Sequence, residues 1–161
     1  MNDIAFLSLT NGGFVVVDAH RFEEINSYTW CRTKKGYILG SGGGVEINGF
    51  PLTSFVNRTP YGFLTDHING DLRDYTERNL RTVNDAQNRM NSKKQRIGSS
   101  SRYKGVHFHT GLSQNNWVAR ITVDGKQISL GAFKSELVAA ISYDAAAIEH
   151  FGKYAKLNFS R

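Results

Sequence analysis

The chain has one cysteine, Cys31, and two prolines in 161 residues. A single cysteine excludes an internal disulfide framework and any zinc knuckle built on a Cys-x-x-Cys pair, and it fits a reducing compartment. Long hydrophobic runs are also missing: none approaches the ~18 apolar residues of a membrane span. The opening Met1-Asn2-Asp3 lacks the basic stretch that begins a signal peptide, so a cytoplasmic, unsecreted protein is expected. Acidic residues are in deficit, 14 Asp+Glu against 20 Lys+Arg, for a net charge of +6 and a pI near 9.5. That imbalance makes a polyanion the first partner to consider. The 40% hydrophobic and 12% aromatic content excludes wholesale disorder. The length allows one domain, or two small ones with modest cores. Sixteen glycines beside two prolines suit short strands joined by turns.

The charge is unevenly placed. Residues 1–98 hold twelve basic and ten acidic side chains, whereas residues 99–161 hold eight and four. The densest stretch runs from Arg89 to Lys104, with Arg89, Lys93, Lys94, Arg96, Arg102 and Lys104 and no acid. Such a run is either a solvated linker or a stripe that neutralises DNA phosphates. Composition shifts over Met90 to Ser101 towards Asn, Ser, Lys and Gln, which places a domain boundary there.

In the first half, Ile4 to Leu9 and Phe14 to Val17 flank Asn11-Gly12-Gly13, a hairpin signal. Asp18 is placed to cap a short helix through about Ser27. Tyr28 to Arg32, Gly36 to Leu39 and Val45 to Ile47 are expected strands, with Gly42-Gly43-Gly44 breaking the chain before the last. Pro51 can start a helix to about Arg58. Asp66 to Arg81 is polar and rich in turn residues, and Asn79 to Asn88 has helical character.

The second half alternates clearly. Trp117, Ala119, Ile121 and Val123 fall on one face of a strand, and Val118, Arg120 and Thr122 on the other. Asp124-Gly125 is a turn, and Ile128 and Leu130 then alternate with Gln127 and Ser129. An earlier strand sets Val106 and Phe108 against His107 and His109. A helix opens at Ser135-Glu136, with Ala139, Ala140, Tyr143, Ala146, Ala147 and Phe151 as its packing side and Gly152 past its end. Three strands with one apolar face, followed by a helix with an alanine-rich face, predict a sheet covered on one side. Lys104, His107, His109, Arg120, Thr122, Gln127 and Ser129 are then expected on the side away from the helix, with Trp117 beneath it.

Asp66-His67-Ile68-Asn69-Gly70-Asp71 carries the candidate chemistry. A carboxylate and an amide oxygen are hard ligands suited to Mg²⁺ or Mn²⁺. A neighbouring imidazole can accept a proton from water at neutral pH, and an asparagine can fix its tautomer. Together these groups suit phosphodiester hydrolysis. The plain alternative is a set of Asx-turns in which Asp66, Asn69 and Asp71 satisfy backbone groups.

Asp66 to Asp71, followed by Asp74, Asn79-Leu80-Arg81 and Asn88, resembles the HNH endonuclease motif of phage and intron-encoded homing endonucleases. The resemblance covers roughly residues 14–95, including Tyr28-Thr29-Trp30 and Gly36-Tyr37. It implies a ββα-metal finger over about residues 60–92, with Asp66 and Asn88 as metal ligands, His67 as general base and Asn79 orienting His67. The implied cofactor is one divalent metal, Mg²⁺ before Mn²⁺. Thr53 and Ser54 stand where relatives commonly carry a His-Arg pair.

Tyr103-Lys104-Gly105-Val106, Trp117, Arg120-Ile121, Leu130-Gly131-Ala132-Phe133, Tyr143-Asp144 and Asn158-Phe159 are similar to an AP2 domain, over about residues 100–159. That family reads DNA with the open face of its sheet in the major groove. The expected fold is therefore α+β. A nuclease module over residues 1–92 and a linker over 93–101 precede an AP2-like module over 102–161, a three-stranded antiparallel sheet on one helix. The expected function is metal-dependent cleavage of double-stranded DNA by a monomer of the phage or mobile-element homing type, with no protein partner or membrane. A DNA-binding regulator with a nuclease-like scaffold and an RNA-directed nuclease are the competing expectations.

Overall fold

A computed structural model describes residues 3–41, 48–92, 99–111, 114 and 116–159. The expected strand Val45 to Ile47 and the basic residues Lys93, Lys94 and Arg96 lie outside the described residues. The chain divides into two compact units, Met1–Asp85 and Ala86–Arg161. Its class is α+β, built, among the described residues, from small antiparallel sheets and four α-helices. No helix among the described residues is long and apolar enough to cross a membrane.

In the first unit, β1 (Ile4–Ser8) and β2 (Phe14–Asp18) pair in the expected hairpin. Gly12 and Gly13 between them hold φ of 95° and 82°, which side-chain-bearing residues avoid. Leu7, Val15 and Val17 point inward and are at most 1% exposed. A short 3-10 turn and α1 (Phe22–Asn26) follow. Asp18 makes no side-chain cap to that turn. Its Oδ2 instead accepts the Glu77 N–H at 2.7 Å, a partner 59 residues away that local propensity cannot reveal.

β3 (Trp30–Arg32) and β4 (Ile38–Gly40) form a second pair, and α2 (Leu52–Asn57) follows Pro51. Trp30, Ile38, Leu52 and Val56 join the hairpin residues in one core. The Trp30 indole N–H donates to the Ile25 carbonyl at 2.9 Å, so the ring is buried without stranding its polar atom.

β5 (Leu64–His67) pairs antiparallel with β6 (Leu80–Val83). The sequence gives residues 79–88 helical character, and only the last part keeps it, in α3 (Asp85–Asn91). Leu80 and Val83 are buried and Thr82 is exposed, so pairing with β5 and burial outweigh local helix preference.

The second unit contains α3 apart from Asp85, the sheet β7 (Val106–Phe108), β8 (Trp117–Val123) and β9 (Lys126–Phe133), and α4 (Glu136–Phe151). β8 is central. Ala119 and Ile121 are buried against the Ala139, Ala140, Tyr143, Ala147 and Phe151 face of α4. Alanines there remove side-chain bulk and let the helix approach the sheet. Trp117 packs in the same core, on the side its parity predicts. A register shift at Ala119/Arg120 leaves Leu130 between partners: Ala119 faces Gly131, and Arg120 faces Ser129. Bulges of this kind increase local twist.

The tail is clasped to this unit. Asp144, 8% exposed, accepts the backbone N–H groups of Asn158 and Phe159, at 2.8 and 3.0 Å. The Asn158 side chain accepts the Lys104 N–H at 2.6 Å and donates to the Lys104 carbonyl at 3.1 Å. Asp144 and Asn158, both within the AP2-like pattern, thus have structural work to do.

Candidate nuclease site and nucleic-acid interface

The β5–β6 pair brings Asp66 directly opposite Arg81 and His67 opposite Leu80. Arg81 donates to Asp66 Oδ2 through Nη2 at 2.8 Å and Nε at 3.1 Å. Both side chains are largely shielded, at 14% and 11% exposure, so this pair is screened less than a surface ion pair. Arg81 has no role in the sequence reading beyond its place in the motif. Recognising β6 as a strand in register with β5 would have identified it.

His67 closes β5 and is 7% exposed. Its ring meets Tyr75 edge to face, with centroids 5.0 Å apart. Burial pulls the imidazolium below its ordinary pKa, while the carboxylates of Asp66, Asp74 and Asp71 pull the other way. His67 is accordingly neutral at neutral pH, the state a general base requires. Tyr75 is itself buried, which pushes its phenol up to about 12 and keeps it protonated.

Asn79 spans the connecting loop. Its Oδ1 accepts the Asn69 N–H at 3.0 Å and its Nδ2 donates to the Asp74 carbonyl at 2.8 Å. The carboxamide therefore fixes the turn that leaves His67. Asn69 and Asp71 behave as Asx-turn residues, accepting the N–H groups of Asp71 and Arg73. Asp74 Oδ1 accepts the Thr76 N–H and hydroxyl. The loop is fastened from outside by β2: Val16 donates to the Arg73 carbonyl and accepts the Tyr75 N–H, each at 2.8 Å. Asp66, His67 and Asn79 are thus gathered on one hairpin of the first unit. Asn88 lies on α3, in the second unit.

Among the described residues no group of three or more His, Cys, Asp and Glu side chains is placed to hold a metal. The oxygen donor at Asp66 suits a hard cation such as Mg²⁺, which keeps several waters and takes few protein ligands.

In the second unit, Arg120 faces Ser129 and Thr122 faces Gln127 across the β8–β9 ladder. Cross-strand partners share a face, so these four form one polar patch. Arg120 Nη1 donates to Gln127 Oε1 at 3.2 Å, which aligns the guanidinium over the strands. His107, half-buried, faces Val118, and His109 is turned onto its own loop, where Nδ1 accepts the Gly111 N–H at 3.1 Å. Arg102 is exposed and stacks on Tyr103, its guanidinium carbon 4.9 Å from the ring centroid.

Lys104 differs from its expected place on the open face. Its ammonium donates to the Met90 and Ser92 carbonyls at the end of α3, at 2.6 and 2.8 Å. Alternation along a strand says nothing about a lysine stem long enough to turn back to a helix end. Arg89 is exposed on α3.

The chain is similar along most of its length to a nuclease-named protein and, over less than half of it, to plant AP2-type proteins. It is 28% identical over 149 residues to an uncharacterized HNH endonuclease of Acanthamoeba polyphaga mimivirus, an alignment covering 91% of this chain and 75% of that protein. It is 40% identical over 68 residues to an AP2-like ethylene-responsive transcription factor of Arabidopsis thaliana, and 40% identical over 78 residues to APETALA2-like protein 2 of Oryza sativa subsp. indica. These plant alignments cover 37% and 47% of this chain, but only 22% and 18% of the plant proteins. No family model matches the chain, and no solved structure matches it.

Proposed function

We propose that this protein is a DNA endonuclease that hydrolyses phosphodiester bonds at the β5–β6 hairpin and docks on DNA through the open face of the β7–β8–β9 sheet. The observation that carries the proposal is a buried His67 next in sequence to the Asp66 carboxylate, on a turn braced by Asn79. Similarity to a viral protein named for HNH endonuclease activity and to plant AP2-type transcription factors supports the same division of labour. The chain order β5, β6, α3 agrees with a ββα finger.

In this proposal His67 takes a proton from water, and the hydroxide so formed attacks the scissile phosphorus as the bond to the leaving oxygen breaks. Burial keeps the imidazole unprotonated and ready. Asp66 would hold a divalent metal, Mg²⁺ before Mn²⁺, which when bound stabilises the charge developing on phosphate and leaving oxygen. Arg81 orients that carboxylate from the facing strand. Asn79 acts through the loop, as a positioning residue. Arg120, Thr122, Gln127 and Ser129 present donors and acceptors to base edges and phosphates. A homing-type role in a phage or mobile element is the finer proposal, resting on the two similarities occurring in one chain.

One observation favours a second reading, a DNA-binding regulator with a nuclease-like scaffold: the Asp66 carboxylate already carries a guanidinium. Incubating the protein with supercoiled plasmid separates the two. The nuclease gives nicked or linear DNA with Mg²⁺ and none with EDTA. His67→Ala lowers the cleavage rate by about 10²–10⁴-fold while binding is kept. Tight binding with no cleavage in either metal would leave the regulator.

A further inference from the structure

β7 stops short of its neighbour. Its first residue, Val106, faces Ala119, and the Arg120 N–H still reaches the Gly105 carbonyl at 2.8 Å. Beyond that point β8 continues through Val123 past the end of its pairing with β7. Met90 of α3 packs on the Ile121–Tyr143–Phe151 cluster beside this open stretch. The space left there is a cavity of about 360 Å³, wholly within the second unit. Arg89, Lys104 and Arg120 line it, from α3, from the segment before β7 and from β8, with Asp124 as the one acid in the lining.

Two features make this more than a gap. Lys104 is held half-buried, and burial with nearby Lys156 pulls its ammonium down to about 8. Keeping a cation in such a place is costly unless negative groups face it. The Met90 and Ser92 carbonyls take two of its three donors. Arg120, moreover, belongs both to the cavity wall and to the polar patch on the sheet's open face, so the cavity is continuous with the proposed DNA-docking surface.

We propose that this cavity is a backbone-phosphate site: DNA lying on the sheet places a phosphate between Arg89 and Arg120, and Lys104 is the positioning residue that pins α3, with its Arg89, at the rim. The proposal rests on the DNA-docking reading and extends the footprint from the sheet onto α3.

The test is binding of a fluorescein-labelled, mixed-sequence DNA duplex to the full chain, followed by anisotropy across a salt series. Each phosphate contact contributes about 0.9 to the slope of log affinity against log salt. Arg89→Ala, on an exposed side chain, is expected to weaken binding and make the slope shallower by about 0.9. Lys134→Ala, an exposed cation of the same unit outside the cavity lining, is expected to keep the wild-type slope. Lys104→Met is expected to reproduce the Arg89→Ala slope, and Lys104→Arg to restore it, because a guanidinium can still donate to the α3 carbonyls. An unchanged slope in Arg89→Ala beside a steep wild-type slope overturns the phosphate site alone. Equal losses in Arg89→Ala and Lys134→Ala overturn it too, as an effect of net charge. A flat wild-type slope overturns the docking reading itself.

Discussion

Gly105→Ala tests the seat of the β7–β8–β9 sheet against α4. Gly105 holds φ of 75° and passes so close to α4 that a Cβ would overlap Tyr143 Cδ2 and Cε2 and lie 2.7 Å from the Arg120 carbonyl oxygen. Tyr143 is 3% exposed and cannot swing aside without disturbing Ile121 and Phe151. The left-handed conformation costs a side-chain-bearing residue about 1–2 kcal/mol. Overpacking of a closed core adds about 1–3 kcal/mol. The sum is on the order of 2–5 kcal/mol, and at about 4–8 °C per kcal/mol for a unit of this size Tm should fall by roughly 8–40 °C. Trp30 lies in the first unit and Trp117 in the second, so urea unfolding in a Trp30→Phe background reports on the sheet through Trp117. DNA affinity should fall with the midpoint. A Gly105→Ala protein that unfolds within about 0.5 kcal/mol of its parent, a shift typical of harmless surface changes, would refute the close approach.

Asn79→Ala removes a buried carboxamide that serves two backbone groups, at a cost of about 1–3 kcal/mol. It should slow plasmid nicking while leaving duplex affinity unchanged, as measured side by side. Lys104 gives a pH signature. Its folded value of about 8 lies below the ordinary 10.5, so between those values the unfolded chain holds a proton that the folded chain has released. Stability should therefore be flat with respect to this group below about pH 8 and rise between about pH 8 and 10.5. Urea midpoints across that range should show the rise in wild type and lose it in Lys104→Met.

Legibility in the sequence followed the range of the interaction. The β1–β2 hairpin was readable because alternation and Asn11-Gly12-Gly13 are local signals. Arg120, Thr122, Gln127 and Ser129 were readable as one face because strand parity has a period of two. The register shift at Leu130 was hidden, since an extra residue leaves the alternation of Ile128 and Leu130 looking regular. β6 was misread because Leu80 to Val83 owes its extended form to Leu64–His67 across a long loop. The Asp66–Arg81 pair was missed with it, since only strand register brings the two together. Asp18 looked like a helix cap and serves Glu77, and Lys104 looked like a surface cation and serves α3. In each case the deciding partner is distant in sequence.

The clasp between Asp144, Asn158 and Lys104 also bears on how the second unit is made. The backbone before β7 is locked by a side chain emerging 54 residues later. A chain growing from its N-terminus would hold β7, β8, β9 and α4 complete while Asp144 still waits for the amides it accepts. The clasp on the β7–β8–β9 unit is therefore closed only when Asn158 arrives. Closure depends on a long-range contact, and such contacts form late and slowly. Until then the growing chain lacks the Asn158 bridge that ties Asp144 to the segment before β7.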